Sequence, residues 1–542
     1  MAASIPRVTD VGAAAAVGTE QRWRTRFLVA WSITLAIKIV LAIYLAPFGD
    51  EAWYWQESRA LDWSFSDLPP ATAAMIRIGE ALFGHSTFGI RAPFLLLGAL
   101  LPFVLVRTGT RLFGAPAGWQ AGLIALALPL LGSLGLFALP DMPLTFCCAV
   151  AFDLLERATR TRNRNAWFLL GLALAAAWLS HYRAGMFMLT GLVFLLATAR
   201  GRALWREPGL WIALAISAMG LLPLLVFNAT HGWVALGFQL VDRNPWSFHA
   251  DGLLQPIEQA LICTPPFYAL LLVVALYCAR RAGEAPWDLL SVCSLVPILG
   301  YLILGCFADD TRLRVHWPLP GYLPLLLVVP VYLDSARTFD TSTARWWARA
   351  ATFGLLVAGM LVTYGYFALA AVPGGAGVLA RFKAFPEHWV GWHEIAAETK
   401  AHLEQPEFTL SALVADNFLL AAELQFALDH AQGVYTLDHP TNTKHGRAAQ
   451  LALWQRDEAG LRSLAPQSIL LVVEPTARRE RERAKWLSTV CSKFNQLRPA
   501  GRLELYGGRK RYLFFAATLA GGGTARVPEA DAQCLATMLD KD

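Results

Sequence analysis

Apolar runs of about twenty residues, each long enough to cross a hydrocarbon core of roughly 30 Å as a helix, recur along the first two thirds of the chain. They fall near 27–47, 90–106, 117–138, 142–156, 166–180, 184–199, 209–228, 255–278, 287–307, 317–334 and 350–372. Eleven spans are predicted. The first run exceeds a cleaved signal-peptide core and lacks a small-residue cleavage site, so it reads as an uncleaved span. Beyond Gly374 the pattern changes. Short β-rich stretches at Phe408–Val414, Gly433–Leu437, Ile469–Val473 and Tyr512–Ala516 alternate with helical periodicity, which predicts a small soluble α/β module. The chain is therefore expected to be mainly α, with a tail over 1–26, a polytopic helical membrane domain over 27–372 and an α/β domain over 373–542. The membrane domain includes a long first loop at 48–88.

Charge placement gives this layout a direction. Arg107 and Arg111, then Arg157, Arg160, Arg162 and Arg164, then Arg200, Arg202 and Arg206, then Arg280 and Arg281, then Arg337, Arg345 and Arg349 occupy alternate connections. Cytoplasmic loops carry such an excess. With the basic residues Arg22, Arg24 and Arg26 before the first span, the amino terminus is expected in the cytoplasm and the α/β domain on the opposite side of the membrane. A composition of 56% hydrophobic and 16% charged residues agrees with lipid as solvent. The net charge of +6 is clustered in these loops, which gives no sign of a nucleic-acid partner. Of eight cysteines, six (Cys147, Cys148, Cys263, Cys278, Cys293, Cys306) lie in or beside apolar runs and read as small core residues. Cys491 and Cys534 read equally well as a disulfide or as two buried thiols.

On the outward side the uncommon polar residues gather. Asp50 and Glu51 follow the first span in a segment that also holds Tyr54 and Arg59; Asp67 lies in Ser-Asp-Leu-Pro-Pro; Asp141 opens the fourth span. His181, Tyr182 and Arg183 interrupt the apolar stretch between spans five and six, Asn228 and His231 follow span seven, and Arg312, Arg314 and His316 precede span ten. Ionisable groups near a membrane are costly to desolvate and tend to face a cavity or a partner. Taken singly, each is as well explained as a solvated loop residue, and Trp53, Trp55, Trp233 and Trp317 better so as an interfacial belt. Several loops supplying acids and bases to one face argue for a site. The first loop is expected to lie along the interface as short amphipathic helices. No Gly-rich nucleotide loop is present, which disfavours ATP or a nucleotide sugar.

The strings GDEAWYW, SDLPP, ALFGHSTFGIRAPFLLLGALL, LPDMP, LSHYRAGM, FNATHGW and VHWPLPGYL together resemble bacterial members of the protein O-mannosyltransferase-like family. These are polyprenyl-phosphate-sugar-dependent glycosyltransferases related to the lipid A aminoarabinose transferase. GWHEIAAE and VADNFLLAAELQFALDH look like the carboxy-terminal periplasmic domain of some members. The resemblance implies a GT-C-type membrane fold, Asp50 as the catalytic acid of the first loop with Glu51 beside it, and Asp141 as the second acid. Members often carry lysines where this chain has Leu68 and His181, which leaves the donor phosphate to Arg183, Arg59 or Arg312.

A mechanism follows as an expectation. His181, Tyr182, Arg183, Arg59, Arg312, Arg314 and His316 hold the phosphate of a polyprenyl-phosphate-linked sugar. Asp50 acts as general base toward an acceptor hydroxyl in one inverting displacement. Asp141 orients the acceptor or holds a cation, and Tyr54, Asp67, Asn228 and His231 line the acceptor side. No cofactor is required by the pattern; a divalent cation on Asp50 and Asp141 is allowed but not demanded by any ligand spacing. Membrane lipids and a glycolipid or glycan acceptor, foremost lipopolysaccharide or lipid A, are the expected partners. A protein O-glycosyltransferase, a flippase of lipid-linked sugars and a non-catalytic scaffold remain as alternatives.

Overall fold

A computed structural model describes residues 8–243, 246–307, 316–335, 341–408, 411–429 and 433–519. The chain forms two compact units. The first combines Met1–Ile43, Leu68–Thr230 and Leu240–Tyr366; the second combines Tyr44–Asp67, His231–Gln239 and Phe367–Asp542.

The first unit is helical. Five described helices are long and apolar enough to cross a membrane, and seven if two bent pairs are each one span. They make the protein a multi-pass membrane protein. The apolar runs all become helix, but not all become one straight rod. Pro129 ends the Ala115–Ala127 helix at Leu128, because a residue before proline is pushed out of the helical region. The run at 255–278 is corrected more strongly. Its helices Gln255–Cys263 and Pro265–Ala279 meet at Thr264, whose φ is 65°, and the bend there is 116°. Periodicity reports burial, not direction, so such a turn is silent in the apolar pattern.

Charges at the helix ends bear on the expected alternation. Arg107, Arg111, Arg157 and Arg160, from two different connections, line one depression of about 530 Å³. Beneath them Arg111 Nε reaches Glu156 at 2.6 Å and Arg111 Nη2 reaches Asp153 at 2.7 Å. Arg200 binds Asp288 through two nitrogens at 2.7 and 3.0 Å, joining two further connections. Asp141 begins and Arg160 nearly ends the same 21-residue helix, Asp141–Thr161. At 1.5 Å per residue its ends are about 30 Å apart, close to a hydrocarbon thickness.

The second unit is built on a five-stranded sheet of order β2-β1-β3-β5-β4, with β1 Ala412–Ala415, β2 Tyr435–Thr436, β3 Ile469–Val473, β4 Phe494–Leu505 and β5 Lys510–Leu519. β2, β1 and β3 run parallel, while β5 and β4 are antiparallel additions. β1 and β3 are buried along their whole length, as expected for strands covered on both faces. Leu413, Leu470 and Phe514 pack with Ile395 and Leu424 on one face; Val414, Leu471 and Phe515 pack with Trp486 and Leu487 on the other. β4 escaped the sequence reading because Pro499 and Gly501 interrupt it. They coincide with a register shift on an edge strand, where such residues are tolerated.

One expectation about the first loop is overturned. The Gly49–Arg59 helix is not an amphipathic segment resting on an interface. Glu51 through Ser58 are all buried. The ring of Trp53 sits 5.4 Å from Phe418 and 5.3 Å from Trp454, and that of Trp55 sits 5.2 Å from Phe426. These two tryptophans are core residues rather than belt residues. Six cysteines are free as expected, five of them buried; Cys491 is disulfide-bonded, and Cys534 lies outside the described residues.

Candidate active site

Asp50 belongs to the second unit and Asp141 to the first, so each is described with its own neighbours.

In the first unit, Asp141 occupies the first turn of its helix, where a carboxylate is favoured by the helix dipole. Arg183, immediately before the Ala184–Ala197 helix, donates from Nη2 to Asp141 Oδ1, and His316 Nε2 lies 3.0 Å from the same oxygen. His181 breaks the Arg164–Ser180 helix, taking an extended conformation as its cap. Its Nδ1 accepts from the backbone N–H of Arg183 at 3.1 Å. That bond fixes the turn and leaves the Nε2 edge of the ring to other partners. The Arg183 guanidinium stands 5.5 Å from the ring of Trp317, and Arg243 approaches the same ring at 5.3 Å. Asp141, His181, Arg183 and His316, named from the sequence, are therefore brought together. Tyr182 borders them, its ring perpendicular to that of His181.

Asn228 is fully buried and donates to the Leu224 carbonyl at 2.8 Å, a bond within its own helix. Arg312 and Arg314 lie outside the described residues. Sequence reasoning missed Arg243 and read Trp317 as an interfacial residue. A basic residue in a polar stretch has no signature until a ring is placed beside it.

In the second unit, Asp50 and Asp67 converge on a residue that the sequence did not single out. Arg447 is almost wholly buried. Its Nη1 donates to Asp67 Oδ2 and lies 3.8 Å from Glu57 Oε1, while Nη2 reaches Asp50 Oδ1 at 3.2 Å and the Tyr54 hydroxyl at 3.4 Å. The guanidinium is 4.9 Å from the Trp53 ring, 5.1 Å from Tyr54 and 5.4 Å from Phe418. Burial, then the charge of Asp67, push the Glu57 carboxyl well above its ordinary range. Burial also raises Asp67, against the pull of Arg447. Burial alone would lower the Arg447 guanidinium, yet Asp67, Tyr54, Asp50 and Glu57 together hold it above its usual value.

Glu51 does different work from its neighbour. Its Oε2 accepts from the backbone N–H of Phe48 at 2.8 Å, capping the Gly49–Arg59 helix. Arg59 ends that helix, exposed, 5.4 Å from the Trp55 ring. His231 lies in the short segment that joins this unit, half-buried. Among the described residues no group of three or more His, Cys, Asp or Glu side chains is arranged to hold a metal ion. The signal for Arg447 was a basic residue opening the largely apolar helix Arg447–Leu453, a place where a charge needs a partner.

Residues 67–227 match the family described as dolichyl-phosphate-mannose-protein mannosyltransferase. That stretch is similar to the domain of this family. It contains Asp67, Asp141, His181 and Arg183 of the residues above. The chain is 25% identical over 426 residues to the lipid A galacturonosyltransferase RgtD of Rhizobium johnstonii, covering 75% of this chain and 83% of the relative. It is 26% identical over 230 residues to undecaprenyl phosphate-alpha-4-amino-4-deoxy-L-arabinose arabinosyl transferase 2 of Pseudomonas fluorescens, covering 37% of this chain and 41% of that one. The fold is that of ArnT from Cupriavidus metallidurans. In its apo state the TM-score is 0.63 at 17% identity, over 92% of this chain and 98% of that one; the same protein is also known bound to undecaprenyl phosphate. The chain thus has the GT-C-type architecture that the motifs implied.

Proposed function

We propose that this protein is a glycosyltransferase that moves a sugar from a polyprenyl-phosphate donor to an acceptor outside a bacterial inner membrane, with lipid A or lipopolysaccharide as the acceptor. The observation that carries the reading is the meeting of Arg183 and His316 on Asp141 Oδ1, with His181 bound to the Arg183 backbone; Asp141, His181 and Arg183 fall within the matched stretch 67–227. A guanidinium and two imidazoles at one helix end suit a phosphate that gains charge as its bond to the sugar breaks. The relatives' names support the donor and acceptor classes: one acts on lipid A, and the other's name contains an undecaprenyl-phosphate-linked aminosugar.

In the proposed reaction Asp50 takes the proton of the acceptor hydroxyl as that oxygen attacks the anomeric carbon. The carbon–oxygen bond to the phosphate breaks, and polyprenyl phosphate leaves with both electrons. One base and one displacement invert the anomeric centre. Arg183 neutralises the leaving phosphate, with His181 and His316 beside it as hydrogen-bonding partners, and Asp141 keeps Arg183 in place before the donor arrives. The amino terminus and the Arg-rich connections are assigned to the cytoplasm and the second unit to the periplasm.

A flippase of lipid-linked sugars would place its polar groups near the middle of the spans. Here Asp141 stands at a helix end. The separating experiment is purified protein in lipid nanodiscs with polyprenyl-phosphate-linked sugar and lipid A. Release of polyprenyl phosphate together with glycosylated lipid A is expected. Movement of the donor across a bilayer without its consumption would overturn the enzymatic reading.

A further inference from the structure

A buried guanidinium facing three acids is a poor device for stability alone. Desolvation offsets most of the Coulombic gain, and an apolar replacement of similar volume often serves as well. The way Arg447 is held suggests a more specific use. Its two terminal nitrogens divide their partners: Nη1 points to Asp67 and Glu57, Nη2 to Asp50 and the Tyr54 hydroxyl. The Asp67 end is sealed, with that carboxylate only 4% exposed, whereas Asp50 is 23% exposed. Asp50 is gripped through Oδ1; among the described residues no donor reaches its Oδ2.

The sealed end is itself tied down from three parts of the chain. Ser66 donates its N–H to Gln450 Oε1 at 2.9 Å and its hydroxyl to the Gly446 carbonyl at 2.6 Å, so the residues flanking Asp67 and Arg447 are joined. Gln239 donates to the Asp67 carbonyl at 2.7 Å. Aromatic rings of Trp53, Tyr54 and Phe418 then bracket the guanidinium plane. A planar fork fixed at one end can orient a carboxylate at the other, which a flexible ammonium cannot do.

We propose that Arg447 is a positioning residue of the transfer reaction: anchored on Asp67, it pins Asp50 through Oδ1 and leaves Oδ2 aimed for the acceptor hydroxyl. This rests on Asp50 being the base. The second unit then contributes to the chemistry, because the helix Arg447–Leu453 holds the group that orients the reacting acid. The arrangement repeats a common logic, in which a base is oriented by a second group that never touches substrate.

The test uses the full-length protein in nanodiscs. The donors are undecaprenyl-phosphate-linked galacturonic acid and undecaprenyl-phosphate-linked 4-amino-4-deoxy-L-arabinose, each with lipid A. Arg447→Lys keeps the positive charge but not the fork. It is expected to melt near wild type while kcat falls on the order of 100-fold, the scale of a misplaced catalytic group, with donor KM nearly unchanged. Asp67→Asn loosens the anchor without touching Asp50 and should lower kcat in the same direction by a smaller factor. Wild-type kcat in both variants, with Asp50→Asn inactive, overturns the role of Arg447 alone. Wild-type turnover in Asp50→Asn overturns the assignment of the base. Should Arg447→Lys fail to fold, Asp67→Asn decides: unchanged kcat there sinks the proposal.

Discussion

His316 Nε2 lies 3.0 Å from Oδ1 of Asp141, and that same oxygen accepts from Arg183. One carboxylate oxygen therefore holds two groups that come from sequence positions more than 130 residues apart, and the pair is ready-made for an anion. A donor phosphate would exchange one negative partner for another without either base having to move far.

Arg183→Gln is expected to raise donor KM by roughly tenfold, the worth of one charge-assisted contact to phosphate, with a smaller effect on kcat. Asp141→Asn should act differently. It leaves both bases in place but no longer holds them, so turnover should fall while donor binding stays within a few-fold of wild type. Steady-state kinetics against donor concentration read both, and equal effects on KM would refute the division of labour.

The neighbouring acids Asp50 and Glu51 should separate cleanly. Glu51→Gln keeps an acceptor for the Phe48 N–H, so it should cost under about 1 kcal/mol and retain activity. Asp50→Asn should remove nearly all transfer while the protein still inserts and melts normally. Loss of activity in the Glu51 variant at unchanged stability would mean that the cap is not its main use.

Gly446 adopts φ 74°, and a Cβ there would come 2.5 Å from Phe238 Cε1. Both the left-handed backbone and the missing space require glycine. Gly446→Ala is expected to destabilise the second unit by about 1–3 kcal/mol. Arg447, the next residue, should lose its grip on Asp67 with it. Limited proteolysis or thermal melting checks this; an unchanged melting temperature would count against it.

Stability should also carry a pH signature from Asp416. Burial, reinforced by the charge of Glu474, pushes this carboxyl up to about 7, while it accepts from Trp486 Nε1 at 3.2 Å and from Asn417 at 2.7 Å. Its folded value exceeds its unfolded one. The folded state therefore binds the extra proton between about pH 4 and 7, and stability falls as pH rises through that window before levelling off. His439 acts oppositely: burial and Arg478 lower it to about 3, so its contribution grows as pH rises toward 6.5. Melting curves of wild type minus Asp416→Asn isolate the first effect. A difference that is flat from pH 4 to 8 would show that Asp416 does not titrate in this way.

The amino-acid sequence by itself determined the membrane character, the helical nature of the apolar runs and the α/β nature of the tail. All of these depend on local composition and period: lipid requires long apolar runs, and a buried parallel strand such as Ile469–Val473 is apolar throughout. It also picked out Asp141, His181, Arg183 and His316, since polar residues that interrupt apolar runs are few and stand out. Tertiary structure alone decided the rest. That the run at 255–278 folds back at Thr264, that Trp53 and Trp55 are core, and that Glu51 is a cap while Asp50 is gripped by Arg447 could not be read locally. Asp50 and Arg447 are 397 residues apart. A buried arginine is defined by the partners that repay its desolvation, and only the folded chain says which carboxylates those are.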